Sequence, residues 1–155
     1  MNNVRPVLIS VGSNLGDRRA TIAFAVDRLS QIVSNLRLSN IIETEPVGEG
    51  MEGQPRFLNA AIAGTTTMDA RTLLDALLAI EGGLGRQRPH PNAARTLDLD
   101  LILFGDEIID EGDLQVPHPR FRDRRFVLEP AADVAAHYRD PVTGRTIRDL
   151  LAALR

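Results

Sequence analysis

Gly85–Gly105 reads GRQRPHPNAARTLDLDLILFG, with three arginines ahead of two aspartates that interrupt a run of leucines. From Thr96 to Phe104 the side chains alternate, and a period of two is the mark of a β-strand. Asp98 and Asp100 then share one face, about 6.6–7 Å apart along the chain. Leu97, Leu99, Leu101 and Leu103 point the other way, into a core. Ile102 and Phe104 continue the aspartate face, so that face is not simply wet. A buried charge without a partner is expensive, and something must compensate this pair.

Two readings compete for the aspartates. In one they are the polar row of a solvent-facing strand, salt-bridged to Arg95 or another neighbour. In the other they share hard cations. Mg²⁺ suits them, because it takes a few carboxylate oxygens, keeps waters and draws its remaining ligands from substrate phosphates. Two such ions sit about 3.5–4 Å apart in phosphoryl-transfer sites. The preceding loop, GGLGRQRPHPNAAR, combines glycines that permit motion with Arg86, Arg88 and Arg95, which can follow an anion. Arginine forks beside paired carboxylates and a metal read as a polyphosphate clamp, and a closing loop would exclude water. A second basic run, Arg120, Arg122, Arg124 and Arg125, follows His118, and one or two of its members could reach phosphate. His90, between prolines, and His137 read as loop and surface residues.

Outward from this strand, PVLISVG reads as a buried strand turned by SNLGD. Asp17 caps a helix on which Ile22, Val26, Leu29 and Val33 fall at helical spacing. LSNIIETEP is a strand stopped by Pro46, VGEGMEGQPR a mobile loop, and FLNAAIAGTTT another strand. Asp69 caps a second helix, lined by Leu73, Leu77 and Ile80 and stopped at Gly82 and Gly83. After the aspartate strand come a hairpin (GDEIID), an irregular VPHPRFRDRRF and a last helix from about Thr146. The order strand-helix-strand-strand-helix-strand predicts an α+β, ferredoxin-like antiparallel sheet with helices packed on one face and mobile loops over the site.

At 155 residues the chain fits one domain, residues 1–155, with a core that needs no staples. Cysteine is absent, which excludes disulfides and thiolate–metal sites and fits a reducing compartment. Pro6–Val11 is too short to span a membrane, and a cytoplasmic protein is expected. A net charge of −3 argues against a general nucleic-acid binder. All 18 basic residues are arginine. The lack of lysine excludes a P-loop lysine, a Schiff-base lysine and a kinase-type strand lysine. It also means that each arginine has to be judged by its position.

In RFLNAAIAG, Phe57 and Asn59 share a strand face opposite Leu58, Ala60 and Ile62. An aromatic plane beside an amide, which donates and accepts, suits a flat heterocycle with a mixed hydrogen-bonding edge, with Thr44 and Pro46 alongside. A core aromatic next to a turn-facing asparagine is the plainer alternative. SVGSNLGD lacks the G-x-G-x-x-G fingerprint, so a Rossmann site is rejected. Two other functional classes fit parts of the pattern. A metal-dependent nucleotidyltransferase would need a surface that tracks a nucleic-acid strand, and a small-ligand regulatory module has no need of paired aspartates with an arginine loop.

Taken together, VLISVGSNLGD, ETEPVG, FLNAA, IEGGLGR.R, ARTLDLDLILFG and VPHPRF..RRFVLEP resemble the 6-hydroxymethyl-7,8-dihydropterin pyrophosphokinase family, over about residues 7 to 133. Its enzymes move pyrophosphate from ATP to a pterin alcohol. The resemblance implies that Asp98 and Asp100 bind two Mg²⁺ ions that bridge the phosphates of ATP. It assigns Arg86 and Arg95 to the closing loop and the start of the strand, with these four residues as the catalytic set. Arg88, Glu81, Leu101, His118 and Arg124 fall at ATP-site positions. Gly12, Thr44, Pro46, Val47, Phe57, Asn59 and Phe126 fall in the pterin pocket, the ring lying between Phe57 and Phe126 with Asn59 on its polar edge.

The implied reaction is attack of the pterin hydroxymethyl oxygen on the β-phosphorus of ATP, with AMP leaving. Only the resemblance selects β over γ. Asp100 would help accept the proton. The chain departs from the family pattern at Asn92 (an aromatic in some members), Pro91, Pro119 and Asp113, where a basic residue can hold nucleotide. The partners implied are ATP and 6-hydroxymethyl-7,8-dihydropterin, with no nucleic acid or membrane, and the chain is expected to be a monomer.

Overall fold

The structure, a computed structural model, describes residues 4–14, 16–45, 56–86 and 97–154, with backbone alone at 84–86. β1 (Arg5–Ser13) lies at the centre of an antiparallel sheet, between β4 (Phe57–Thr66) and β5 (Asp98–Phe104). β2 (Ser34–Leu38) and β3 (Ile42–Thr44) follow one another along the far edge of β4, and β5 forms the opposite edge. β6 (Ile109–Glu111) and β7 (Leu114–Val116) make a separate hairpin.

Helix starts are written in the local chemistry. The Asp17 carboxylate accepts from Ala20 N–H at 3.1 Å and opens α1 (Arg18–Leu29). Asp69 accepts from Thr72 N–H at 2.8 Å ahead of α2 (Ala70–Arg86). Thr146 accepts from Asp149 N–H at 3.1 Å and opens α4 (Ile147–Ala153). Each satisfies an amide that the first helical turn leaves without a partner.

Alternation along the central strand sorts the core into two halves. Val7, Ile9 and Val11 face α1 and α2, packing with Ile22, Leu29, Leu73 and Leu77. Leu8 faces the other way, with Ala61, Ala63, Ile102 and Leu103, against α3 (Arg125–Ala135) and α4. Helices therefore cover both faces, which corrects the expected one-sided packing. α1, α2 and α4 lie where the sequence reading expects helices, but α4 packs with α3 on the second face. α3 begins at the end of the stretch read as irregular and continues where the sequence reading assigns no element, with Pro130 inside the helix and arginines at its start. Its Val127, Leu128, Ala131 and Ala135 are buried, and that apolar stripe outweighs a proline that removes one hydrogen bond.

LSNIIETEP, read as one strand, is broken between β2 and β3, and the hairpin read at GDEIID lies further on, at β6 and β7. Three more departures from the sequence reading concern the packing. α1 stops at Leu29, and Val33 is buried from a following turn in which its N–H donates to Leu29 O at 2.8 Å. α2 runs through Gly82 and Gly83 to Arg86. The cost of about 1 kcal/mol for each helical glycine is outweighed by the buried Leu73, Leu77 and Ile80 row. The third is a bulge in β5. Leu8 opposes Leu103 while Ile9 opposes Leu101, which leaves Ile102 as an extra residue. Ile102 and Leu103 consequently both face α3 and α4, and Phe104 returns to the α1–α2 side. The strict alternation expected through Phe104 thus ends at Leu101. The Ile102 carbonyl accepts from His118 N–H at 3.1 Å, so the bulge also fixes the chain beyond the hairpin.

Behind α3 sits a charged pair. Arg122, in the 3₁₀ turn Phe121–Asp123, grips Asp140 through Nε and Nη2 at 2.6 and 3.0 Å, and the Asp140 side chain is 0 % exposed. Burial alone would raise the Asp140 carboxyl, but Arg122, the Thr143 hydroxyl and Val142 N–H outweigh it and hold it below the usual range. A carboxyl lowered by folding adds stability above its unfolded value, near 4, and loses it as pH falls through the folded value. Asp140→Ala should cost about 2–4 kcal/mol at pH 7, since it leaves Arg122 partly buried without a partner. The melting-temperature gap between wild type and variant should hold from pH 7 to about 5 and narrow below about 4. A gap that stays constant down to pH 3 would contradict this assignment.

Candidate active site

α3 and α4 leave one end of their sheet face uncovered, and a cavity of about 290 Å³ opens there. Its floor is the sheet. Gly12 pairs with Asp98 on one side and with Asn59 on the other, so one row across three strands reads Asp98, Gly12, Asn59. The next row reads Asp100, Ser10, Ala61. Neighbouring strands lie about 4.8 Å apart, which sets the acidic end roughly 10 Å from the amide end.

At the amide end Asn59 Nδ2 donates to Thr44 Oγ1 at 2.6 Å, and Phe57 pairs with Thr44 across the strands. The 4 % exposed Asn59 keeps its other amide atom beside Gly12: a Cβ added to Gly12 would stand 3.0 Å from Asn59 Oδ1 and 3.7 Å from Phe57. Phe126, in the first turn of α3, lines the same cavity, and the Arg124 guanidinium sits 5.5 Å from its ring centroid.

At the acidic end Asp98 and Asp100 both line the cavity, as the alternation predicts. Glu81 reaches over the edge strand from α2 and accepts Leu99 N–H at 2.8 Å, occupying an amide that an edge strand leaves open. Burial, opposed by that hydrogen bond and reinforced by the charges of Asp98 and Asp100, raises the Glu81 carboxyl. Burial and then the charge of Asp100 raise Asp98. Carboxylates that resist ionising beside one another fit a divalent cation, whose charge reverses the penalty, and hard oxygens are the donors Mg²⁺ prefers. Asp98 and Asp100 are the residues that could hold it. No group of three or more metal-ligating side chains occurs among the described residues.

His118 stands near this end without lining the cavity. Burial lowers its pKa; the charge of Asp100 opposes that, and Arg124 and Arg120 add to it. Its Nδ1 accepts Arg120 N–H at 3.2 Å, so the neutral ring carries its proton on Nε2.

The structure thus brings together Gly12, Thr44, Phe57, Asn59, Glu81, Asp98, Asp100, Arg124 and Phe126. Leu101 differs: its side chain is 5 % exposed and packs in the α1–α2 core, on the face away from the aspartates. That is the inward direction the strand period gives it. Pro46, Val47, Arg88 and Arg95, with Pro91 and Asn92, lie outside the described residues, as does the Arg86 side chain. Asp113 is paired with Arg71 at 3.0 Å. Ser10 and Glu45 line the cavity and were not singled out from sequence. Ser10 was legible, two residues before Gly12 on the same strand face; Glu45 carries no such signal.

The sequence matches the family model described as 7,8-dihydro-6-hydroxymethylpterin-pyrophosphokinase over residues 8–136. It is 40 % identical over 152 residues to the 2-amino-4-hydroxy-6-hydroxymethyldihydropteridine pyrophosphokinase of Pseudomonas aeruginosa, covering 97 % of this chain and 92 % of that protein. The protein of the same name from Bacillus subtilis is 43 % identical over 136 residues, covering 86 % and 79 %. In three dimensions it is similar to the crystal structure of wild-type Plasmodium falciparum HPPK-DHPS, with a TM-score of 0.76 at 14 % identity over 98 % of this chain and 45 % of that one, a likeness of fold. This chain belongs to the 7,8-dihydro-6-hydroxymethylpterin-pyrophosphokinase family, the pyrophosphokinases of folate synthesis.

Proposed function

We propose that this cavity transfers pyrophosphate from ATP to the hydroxymethyl group of 6-hydroxymethyl-7,8-dihydropterin, giving AMP and the pterin diphosphate. The observation that carries the reading is the cross-strand row, which sets a carboxylate pair and an aromatic–amide pocket in one cavity, two strand spacings apart. That separation suits a flat ring at one end and a triphosphate at the other.

The pterin ring lies between Phe57 and Phe126, its polar edge on Asn59, and Thr44 fixes which way the amide faces. Its hydroxymethyl group then points along the row toward Asp98. The pterin oxygen bonds to the β-phosphorus, the bond from that phosphorus to the α-phosphate oxygen breaks, and AMP carries the electrons away. The hydroxyl proton passes toward the carboxylate end, with Asp100 as its first acceptor. Arg124, at the cavity wall, offers a guanidinium to the phosphates. Arg86, Arg88 and Arg95 are assigned to the same charge from the sequence resemblance. Asp98 and Asp100 would hold Mg²⁺, two ions in this reading, which when bound neutralise phosphate charge. Catalysis rests on positioning and charge stabilisation. Leu101 would contribute through its backbone, since the alternation that exposes Leu99 N–H at the strand edge exposes the Leu101 amide too.

The strand order β2-β4-β1-β5 supports a ferredoxin-like reading of the sheet. No helix among the described residues is long and apolar enough to cross a membrane. A cytoplasmic monomer with one domain completes the proposal.

Incubation with ATP, Mg²⁺ and the pterin alcohol should release AMP in step with a pterin diphosphate. ADP, or no turnover, would overturn the reaction assigned. Asp98→Ala should cut kcat at least about a hundredfold with an unchanged circular dichroism spectrum, and retained activity would remove the metal assignment. Gly12→Ala should raise KM for the pterin about tenfold by displacing the Asn59 amide, the loss of roughly one good hydrogen bond, and leave KM for ATP close to wild type. A larger effect on ATP than on pterin would contradict the placement of the ring.

A further inference from the structure

Asp140 does not line the cavity, and its carboxylate accepts four hydrogen bonds. Its oxygens accept from Arg122 Nε and Nη2, Val142 N–H at 3.0 Å and Thr143 Oγ1 at 2.8 Å, all from a side chain with no exposure. The turn that carries it is itself closed, by Gly144 N–H to Asp140 O at 2.8 Å and Asp140 N–H to Arg145 O at 2.9 Å. Such a group is a fixed point. What it grips is the chain just before α3, 18 residues away in sequence. Arg122 is also held from its other side, its guanidinium 4.8 Å from the ring centroid of the buried Phe121.

Two residues further on stands Arg124. Its N–H donates to Phe121 O at 3.2 Å, and its carbonyl accepts from Val127 and Leu128, each at 3.0 Å. The backbone of Arg124 is thus the joint between the 3₁₀ turn and α3, and Phe126 follows in the first turn of the helix. Arg124 and Phe126 both line the cavity.

We propose that Asp140 is a positioning residue for the reaction, holding Arg122 so that the 3₁₀ turn aims Arg124 and Phe126 into the cavity. This rests on the reading of Arg124 as a phosphate contact. A displacement of about 1 Å at a positioning group, even one remote from the chemistry, lowers turnover substantially. The carboxylate fork matters here more than the bulk of the side chain, since Arg122 needs two oxygens with full charge.

The test is a double-mutant cycle of Asp140→Asn and Arg124→Ala, read as kcat/KM for ATP. Asp140→Asn alone should lower it about tenfold, but less than about twofold when Arg124 is already alanine, because both changes remove one effect. Equal losses in the two backgrounds, or no loss from Asp140→Asn alone, would overturn the proposal. No loss from Arg124→Ala alone would instead overturn the phosphate reading on which it rests, and the proposal with it. Should Asp140→Asn fail to fold, Arg122→Gln takes its place in the same cycle with the same outcomes. Arg122→Lys, which keeps the charge without the fork, should recover part of what Arg122→Gln loses; no recovery would count against an ionic hold.

Discussion

The antiparallel register of β1 is the constraint on which the cavity depends. Gly12 stands between Asp98 and Asn59, and the absence of a side chain there leaves the middle of the row open. A one-residue slip of β5 against β1 would turn Asp98 and Asp100 into the α1–α2 core and bring leucines to the cavity. The register is secured from several sides. Leucines on β5 are buried against α1 and α2, Glu81 fastens the outer edge at Leu99, and the Ile102 bulge is tied to the backbone of His118. Binding chemistry and core packing are therefore two faces of the same strand.

That arrangement explains why so apolar a strand carries acids. Carboxylates beside one another on a partly covered face resist ionisation, and the raised carboxyls of Asp98 and Glu81 register that cost. An unliganded site of this kind is electrostatically unfavourable, and its complement is positive charge brought with the substrate. Structural ion pairs in this protein look different. Asp140 is lowered, enclosed by donors and shut away from the cavity. The two kinds of acid are distinguished by whether the fold itself supplies the partner.

Much of this was legible in the sequence because strand alternation is a local rule. It placed Asp98 with Asp100 and Phe57 with Asn59, while helix-start signals, equally local, placed the caps Asp17 and Asp69 and a last helix from about Thr146. It failed where a tertiary contact overrides the local pattern. The Ile102 bulge depends on how β1 and β5 pair, so no reading of β5 alone could show that Leu103 and Phe104 exchange faces. α3 was hidden by Pro130 and a crowd of arginines, and its formation depends on a sheet face, Leu8 with Ala61 and Ala63, that only the assembled fold presents. Leu101 was assigned to the ATP site by resemblance, and its side chain points into the core as the alternation gives it. Ser10 was not singled out, although the same alternation puts it on the face of Gly12.

The central claim is that Asp98 and Asp100 jointly present a cation to a nucleotide's phosphates. Calorimetric titration of a non-hydrolysable ATP analogue into the wild-type protein and the Asp100→Asn variant, with Mg²⁺ and with EDTA, tests it most directly. The account predicts binding by the wild type in Mg²⁺ that weakens at least about tenfold both in EDTA and in the variant. Equal affinity under all these conditions would contradict it.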